Sequence, residues 1–387
     1  MKDFGQEIMA FEIDCRDGDI CKEIIDYAKE DGTIRLDGYD GFLKKSDTIK
    51  KVVIIHHNDL DGYASAANVV QQAILENIEV ELHPVNYNAK FNMKWFVPFN
   101  TTEVWILDYS FSNRYNLDLI LGFPDSFKSH LVWIDHHGSS MTIDEPALWK
   151  LNGFVCDYHI SSAVQVELYL QALYKLSRPE MEYSMIPPFL RYVSDWDTFS
   201  HAKRPNGKET VKFNYGIQTK WKTDFKEILN EKRFIAKHWK IALSYDVDIA
   251  YKQIQELVRA GDVIYDYAES VNARMQAMGI DMIFDFEGKS YTARVVNAYG
   301  NSLMFGDYYD NKDFCCVFRY DLINGTYSYT LFSKNLDSTK ISKYFGGGGH
   351  PGASGFSLSI NMFEHVSTSM DGTKHLDLSY IHNIERA

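Results

Sequence analysis

The stretch LVWIDHHG (131–138) joins an apolar run to an aspartate, two histidines and a glycine. Two further apolar runs end in a similar way, at HHNDLDG (56–62) and within VWILDYS (104–110). Short runs rich in β-branched and other apolar residues are typical of strands buried in a parallel sheet. Because ligands bind outside the carboxyl ends of such strands, we expect all three segments to deliver polar side chains to one edge.

The side chains at these strand ends are carboxylates and imidazoles, namely His57, Asp59, Asp61, Asp108, Asp135, His136 and His137. Oxygen ligands combined with a few imidazoles suit divalent cations such as Mn²⁺. Two such cations, about 3.5–4 Å apart, clamp phosphate oxygens and lower the pKa of a water molecule. The sequence therefore predicts a metal centre with two ions, although each short motif alone also fits a surface turn or strand-end cap.

The bulk composition narrows the class of protein. A chain of 387 residues with a hydrophobic fraction of 45% can form the cores of two domains. It has no apolar run of about 18 residues and no signal-peptide pattern, so no membrane span is expected. Five scattered cysteines without a CxxC pair favour a reducing, cytoplasmic location. The net charge of −13 disfavours binding of long duplex nucleic acid and favours a short phosphate-containing ligand.

Strand and helix alternate in the first half of the chain, which predicts an α/β fold with a doubly wound parallel sheet. A helical connector follows, with a long helix over 246–278 in which Gly261 is a candidate interruption. Strand character then returns in a smaller α/β domain with a mixed sheet. The predicted boundaries are 1–50 for an N-terminal extension, 51–205 for the first domain, 206–285 for the connector, 286–360 for the second domain and 361–387 for a polar tail.

A glycine-rich segment, GGGGH (346–350), is the second candidate site. Consecutive glycines allow backbone N–H groups to converge on an anion, and His350 adds a donor. A flexible loop is the alternative interpretation. Arg319 and Ser333 lie on nearby predicted strands and could contribute, although most such residues occupy surface or ladder positions.

The motifs IDHH (134–137), HNDLDG (57–62), LDYS (107–110), VSD (193–195) and FGGGGHPGASGF (345–356) together resemble those of the DHH/DHHA1 phosphoesterases. The resemblance covers roughly residues 51–360 and is strongest to the oligoribonuclease (nanoRNase) branch. It implies a catalytic DHH domain, a substrate-binding DHHA1 domain and an active site in the cleft between them. The implied activity is Mn²⁺-dependent hydrolysis of short oligoribonucleotides or dinucleotides to mononucleotides. Alternatives are cyclic dinucleotides, 3′,5′-bisphosphorylated adenosine, single-stranded DNA as for RecJ, or non-catalytic nucleotide binding.

The resemblance also assigns roles to residues. Metal ligation is implied for His57, Asp59, Asp61, Asp108, His136 and Asp195. Asp108 would bridge two Mn²⁺ ions, for which Mg²⁺ or Co²⁺ could substitute, and His137 would contact the scissile phosphate with Asp135 supporting the site. The far end of the substrate would contact Arg319, Ser333, Gly347, Gly348, Gly349 and His350.

The sequence leaves two choices of metal ligand open. His56 competes with His57 in the first motif, and Asp197 competes with Asp195, which the apolar-Ser-Asp context favours.

The expected partners are short RNA or DNA oligonucleotides or dinucleotides, with no membrane and no long duplex. The expected oligomeric state is a monomer or homodimer.

Overall fold

The computed structural model describes residues 18–386 apart from 45–47, 88, 112, 158, 205–206 and 223. Cys15 and the rest of residues 1–17 lie outside the described residues. The chain forms two compact units, Met1–Ile264 and Tyr265–Ala387.

The elements are numbered here in chain order over the described residues. The helices are α1 (Gly18–Glu30), α2 (Leu60–Leu75), α3 (Arg114–Leu121), α4 (Asp125–Lys128), α5 (Ser162–Ser177), α6 (Pro188–Asp197), α7 (Gly207–Gly216), α8 (Lys237–Ala242), α9 (Val247–Met278), α10 (Asp307–Asn311), α11 (Thr339–Tyr344) and α12 (Leu378–Arg386). The strands are β1 (Ile34–Arg35), β2 (Lys51–His57), β3 (Glu79–Val85), β4 (Thr102–Leu107), β5 (Leu131–Asp135), β6 (Asn152–Val155), β7 (Ile280–Phe286), β8 (Lys289–Asn297), β9 (Phe314–Asp321), β10 (Thr326–Phe332), β11 (Gly348–His350), β12 (Ala353–Leu358), β13 (Ser367–Thr368) and β14 (Lys374–Asp377).

The first unit is built on a sheet with the strand order β1-β6-β5-β4-β2-β3. The neighbours from β6 to β3 all pair in parallel, while β1 runs antiparallel to β6. This confirms the predicted doubly wound parallel sheet. Because β3 lies on one side of β2 and β4 on the other, the strand order reverses between β2 and β4. The carboxyl ends of these two strands are therefore the place where such a fold binds ligands.

Alternate residues of the central strands face two cores on opposite sides of this sheet. In β4, Trp105 and Leu107 pack in the core that includes α2 and α5. Val104 and Ile106 pack in the core that includes α3 and α4. Burial on both faces explains why these strands are continuous apolar runs in the sequence.

The chain before Lys51 belongs to the same core from α1 onward. Cys21 and Ile25 of α1 are buried with the sheet residues. At the amino end of β4, buried Glu103 accepts hydrogen bonds from the Tyr39 hydroxyl at 3.0 Å and the backbone N–H of Phe42 at 2.7 Å. This carboxyl group therefore anchors the segment that follows β1 to the sheet.

The long predicted helix is present as α9, and Gly261 does not interrupt it. A Cβ atom at Gly261 would lie 1.7 Å from the carbonyl oxygen of Lys212, and one at Gly216 would lie 1.9 Å from that of Leu257. The two glycines thus allow α7 and α9 to cross in backbone contact. Neither this helix nor any other in the described ranges is both long and apolar enough to cross a membrane.

The second unit contains a sheet with the order β11-β12-β10-β9-β8-β7-β14-β13. The pairs β8–β9 and β7–β14 are parallel and the others antiparallel, which confirms a mixed sheet. The last two strands and α12 come from the chain after residue 361, to which the sequence assigned no element. Leu376, Leu378 and Ile381 of this segment are buried in the same core as Phe284, so the segment is an integral part of the unit.

Candidate metal centre

The first group of polar side chains follows β2, in the turn that leads into α2. Asp59 caps this helix, with one carboxylate oxygen accepting from the N–H of Gly62 at 2.9 Å. The other carboxylate oxygen lies 2.7 Å from Nδ1 of His57. A Cβ at Gly62 would lie 2.2 Å from the carbonyl oxygen of His57, so the turn closes only around glycine. The HHNDLDG motif thus folds back on itself and holds an imidazole against a carboxylate.

Asp108, directly after β4, lies at the centre of the cluster. Its backbone is left-handed, with φ of 55°, and its side chain is buried. Oδ1 accepts from the hydroxyl of Ser162 at 3.1 Å and lies 3.5 Å from Nε2 of His136 and 3.8 Å from Nδ1 of His137. Oδ2 lies 3.7 Å from Nδ1 of His57 and has no hydrogen-bond partner among the described residues. One buried carboxylate therefore faces three histidines, one at the end of β2 and two directly after β5.

Asp61 lies on the other side of His136, at the amino end of α5. Its two oxygens accept from the backbone N–H groups of Ser162 at 2.9 Å and Ala163 at 3.0 Å. Helix N-termini favour negative charge, so α5 fixes this carboxylate in place. Nε2 of His136 lies 3.9 Å from Asp61 and 3.0 Å from Oδ2 of Asp197.

Asp135 and His137 form a supporting chain beside these groups. Nδ1 of His137 lies 2.7 Å from Oδ1 of fully buried Asp135, whose Oδ2 accepts from the hydroxyl of Ser140. On the opposite side of the ring, Nε2 of His137 lies 2.7 Å from the hydroxyl of Tyr87. Both oxygens of Asp135 are thus occupied, which leaves it to orient His137.

Potential ligand atoms fall into three overlapping groups, each with all its atoms within 4.8 Å of one another. The groups are His57 with Asp59 and Asp108, Asp108 with His136 and His137, and Asp61 with His136 and Asp197. Asp108 and His136 each belong to two groups. The arrangement can therefore serve two neighbouring cations that share a ligand.

The electrostatics of the cluster fit bound cations. Burial and the charges of Asp108 and Asp197 raise the pKa of Asp61 well above its usual value. Burial and the charge of Asp59 also raise the pKa of Asp108. Burial disfavours a charged His136, yet its contacts with Asp108 and Asp197 raise its pKa. Crowded buried carboxylates, one with an unpartnered oxygen, are the groups that a divalent cation would neutralise.

Of the two carboxylates in the VSDWD segment, the structure places Asp197 in the cluster and not Asp195. Asp195 instead lies 2.8 Å from the guanidinium of Arg204, in an ion pair. Residues two apart on an α-helix project about 200° from each other, so α6 can present only one of them to His136. The sequence favoured Asp195, whereas the geometry brings Asp197 to the cluster, because the apolar-Ser-Asp context carries no information about which helix face is buried.

Of the two histidines in the HHNDLDG motif, His57 lies in the cluster and His56 does not. His56 is fully buried, its Nδ1 lies 2.8 Å from the carbonyl oxygen of His57, and its ring packs edge-on against Tyr63 at 4.6 Å. Because side chains alternate along a strand, the two histidines face opposite sides of β2.

Sequence reasoning missed Tyr87 and the hydroxyl of Ser162. Tyr87 follows β3 by two residues and so reaches the same edge of the sheet, but no motif marks it. Ser162 is the first residue of α5, where its side chain contacts Asp108 and its N–H contacts Asp61.

The predicted substrate-binding residues lie in the second unit. Gly348 and Gly349 pair with β12, and Gly349, at φ of 137°, has a backbone that favours glycine. A Cβ at Gly347 would lie 2.0 Å from the carbonyl oxygen of Gly355, so close strand packing also requires glycine here. The side chain of His350 is outside the described part of the chain.

The other two residues predicted there have different environments. The hydroxyl of Ser333 donates to the carbonyl of Asp313 at 2.7 Å and accepts from the N–H of Leu336 at 3.0 Å. Arg319 is exposed, with its guanidinium 5.0 Å from the ring centre of Tyr299. Arg319 is therefore available to a ligand, whereas the Ser333 hydroxyl already has two backbone partners.

No family model and no curated protein matches the sequence. Among solved structures, a DHH-domain protein described as a member of a family of ribosomal proteins is similar with a TM-score of 0.49 and 11% identity, over 87% of this chain and 93% of that one. Exonuclease RecJ bound to manganese gives a TM-score of 0.40 at 14% identity, over 84% and 92%. The pGpG-specific phosphodiesterase PggH from Vibrio cholerae gives 0.40 at 13% identity, over 81% and 95%. These are similarities to DHH-domain and phosphodiester-cleaving proteins.

Proposed function

We propose that this chain is a Mn²⁺-dependent phosphodiesterase of the DHH type that hydrolyses short oligoribonucleotides or dinucleotides to mononucleotides. The observation that carries the proposal is the position of Asp108. It is a buried carboxylate with one unpartnered oxygen, it faces three histidines, and it is shared by two of the three ligand groups. A carboxylate shared in this way suits a pair of neighbouring cations that act on one phosphate.

The ligands of the two cations would come from the overlapping groups. His57 and Asp59 would serve one cation, Asp61, His136 and Asp197 the other, and Asp108 both. When bound, the cations supply positive charge for the phosphate oxygens and lower the pKa of a water molecule that attacks phosphorus. Mn²⁺ suits this mixture of oxygen and imidazole ligands, and Mg²⁺ or Co²⁺ are candidate substitutes.

The chain's own residues would orient the reaction. Asp135 fixes His137 through Nδ1, which leaves Nε2 on the side of the ring away from Asp135. A substrate phosphoryl oxygen that replaced Tyr87 at Nε2 would accept a hydrogen bond from the protonated ring. Burial opposes charge on His137, but its contact with Asp135 raises its pKa.

The substrate class follows from charge and from the second unit. A net charge of −13 repels long polyanions, so local cations must attract the phosphates that bind. We propose that Arg319, whose guanidinium is exposed, and the edge strand β11 contact the far end of the substrate.

The decisive experiment is hydrolysis of end-labelled RNA and DNA of two to about ten nucleotides, with Mn²⁺ and with chelator. We expect Mn²⁺-dependent release of mononucleotides from the shortest RNAs, and none from the Asp108→Asn variant, which keeps the side-chain size. Metal content is measured in parallel by mass spectrometry. An Asp108→Asn variant that retained full activity and full metal content would reject the proposal.

A further inference from the structure

Tyr87 is a polar residue in the cluster that none of the roles above uses. Its hydroxyl lies 2.7 Å from Nε2 of His137, and its ring centre lies 4.5 Å from that of His57. One side chain thus contacts two histidines, His57 at the end of β2 and His137 two residues after β5. Ordinary core packing would not need the hydroxyl, because a phenylalanine ring would cover His57 equally well.

The hydrogen bond to His137 completes a linear chain. Ser140 donates to Asp135, Asp135 holds Nδ1 of His137, and Nε2 of the same ring meets the Tyr87 hydroxyl. With Asp135 alone, the imidazole could still tilt about the Nδ1 contact. A second partner at the opposite nitrogen removes that freedom, and hydrogen bonds of this kind orient functional histidines.

Tyr87 is itself held in place by a neighbouring network. Its carbonyl oxygen accepts from the hydroxyl of Tyr109 at 3.2 Å, and that hydroxyl accepts from the side-chain amide of Asn116 at 2.8 Å. The rings of Tyr87 and Tyr109 lie 5.7 Å apart. The tyrosine therefore has fixed support on the side away from the histidines, as a positioning residue needs.

We propose that Tyr87 is a positioning residue of the reaction centre, whose hydroxyl aims Nε2 of His137 at the place where a phosphoryl oxygen binds. The inference rests on the proposed function. It assigns to Tyr87 an effect on turnover that passes through His137 and not through the metal ligands. A phosphoryl oxygen then takes over the hydrogen bond at Nε2, and the imidazole needs no reorientation when substrate arrives.

The test is a double-mutant cycle with Tyr87→Phe and His137→Ala, assayed on an end-labelled diribonucleotide with Mn²⁺. We expect Tyr87→Phe to lower kcat/KM about tenfold to a hundredfold, the usual range for a residue that orients a functional group, because the hydroxyl holds His137 only until substrate takes over Nε2. The Mn²⁺ affinity, measured by calorimetric titration, should stay near the wild-type value. In the His137→Ala background, Tyr87→Phe should have no further effect on kcat/KM, because the residue through which it acts is gone.

The matched control is Tyr115→Phe, which removes a hydroxyl from a tyrosine on α3 that is 47% exposed, and should leave kcat/KM unchanged. If the wild-type protein is active and Tyr87→Phe has the same kcat/KM, this inference alone is overturned. Loss of Mn²⁺ affinity in Tyr87→Phe, or additive effects in the cycle, would also overturn it, because the tyrosine would then support the metal ligands or the fold. A wild-type protein with no activity on short RNA would overturn both the proposed function and this inference.

Discussion

At the scale of single residues, the pair Asp195 and Asp197 offers a sharp test of the site. Both are aspartates on α6, but one pairs with Arg204 and the other lies 3.0 Å from His136. We expect Asp197→Asn to lower Mn²⁺ affinity and kcat/KM at least about tenfold, as loss of a charged ligand would. Asp195→Asn should keep wild-type Mn²⁺ affinity and lose at most about 1 kcal/mol of stability, because its ion pair is partly exposed. Mn²⁺ titration of both variants measures this difference. If Asp195→Asn lost Mn²⁺ affinity and Asp197→Asn kept it, Asp195 would be the ligand.

Glu103 leads to a prediction about pH and stability. Burial raises its pKa to about 7, although hydrogen bonds from Phe42, Trp105 and Tyr39 oppose the shift. The folded protein therefore keeps this proton at pH values where the unfolded chain, with a pKa near 4.5, has released it. The stabilisation is complete below pH 4.5 and is lost as the pH rises through 7, by roughly 3 kcal/mol in total.

Urea unfolding of wild-type protein and Glu103→Gln between pH 4.5 and 7.5, with chelator present, measures this effect. The unfolding free energy of the wild type minus that of Glu103→Gln should fall by roughly 3 kcal/mol as the pH rises, since only the wild type titrates at this position. The control Glu182→Gln changes an exposed glutamate and should track the wild type at every pH. A constant difference between wild type and Glu103→Gln would show that the buried carboxyl does not titrate in this range.

Single residues also show how far sequence reasoning reaches into the site. Strands with clear apolar runs precede Asp59, Asp61, Asp108, His136 and His137. The sequence could therefore predict that these side chains lie at one edge of the sheet. Tyr87 could not, because a tyrosine two residues beyond an edge strand has no distinguishing pattern. The choice between Asp195 and Asp197 depends on the rotation of α6 about its axis, which tertiary packing decides.

At the scale of elements, the crossing of α7 and α9 at Gly216 and Gly261 is sensitive to a single methyl group. In an exposed helix, Gly→Ala gains up to about 1 kcal/mol. Here the new Cβ would overlap the carbonyl oxygen of Lys212, so we expect Gly261→Ala to lose about 1–3 kcal/mol of stability instead. Denaturant unfolding checks this, with the exposed Glu256→Ala on the same helix as the control. A stabilised Gly261→Ala protein would mean that the helices do not meet this closely.

The elements themselves were predicted where their periodicity was strong. The parallel strands and the long helix α9 follow from apolar patterns alone. The interpretation of Gly261 as an interruption was wrong, because a glycine that breaks a helix and one that admits a neighbouring backbone look the same in sequence. The strands β13 and β14 have only two and four residues, too few for a period of two to emerge.

At the scale of the whole molecule, the acidic net charge predicts a substrate-length limit. We expect kcat/KM to be highest for RNAs of two to about four nucleotides and to fall with length, because each added phosphate meets a repulsive field. The salt dependence for the shortest substrates should be shallow, since few counterions are released on binding. A length series at two salt concentrations measures both. A preference for long single strands with a steep salt slope would instead indicate a RecJ-like exonuclease.

The contact between Asp61 and the amino end of α5 has a consequence for metal binding during translation. Asp61 is synthesised early, but the two N–H groups that hold its carboxylate belong to Ser162 and Ala163. A chain still on the ribosome that lacks α5 would carry the early aspartates without the scaffold that arranges them. We therefore expect metal loading to begin only after translation has passed α6, which carries Asp197, the last of the proposed ligands along the chain.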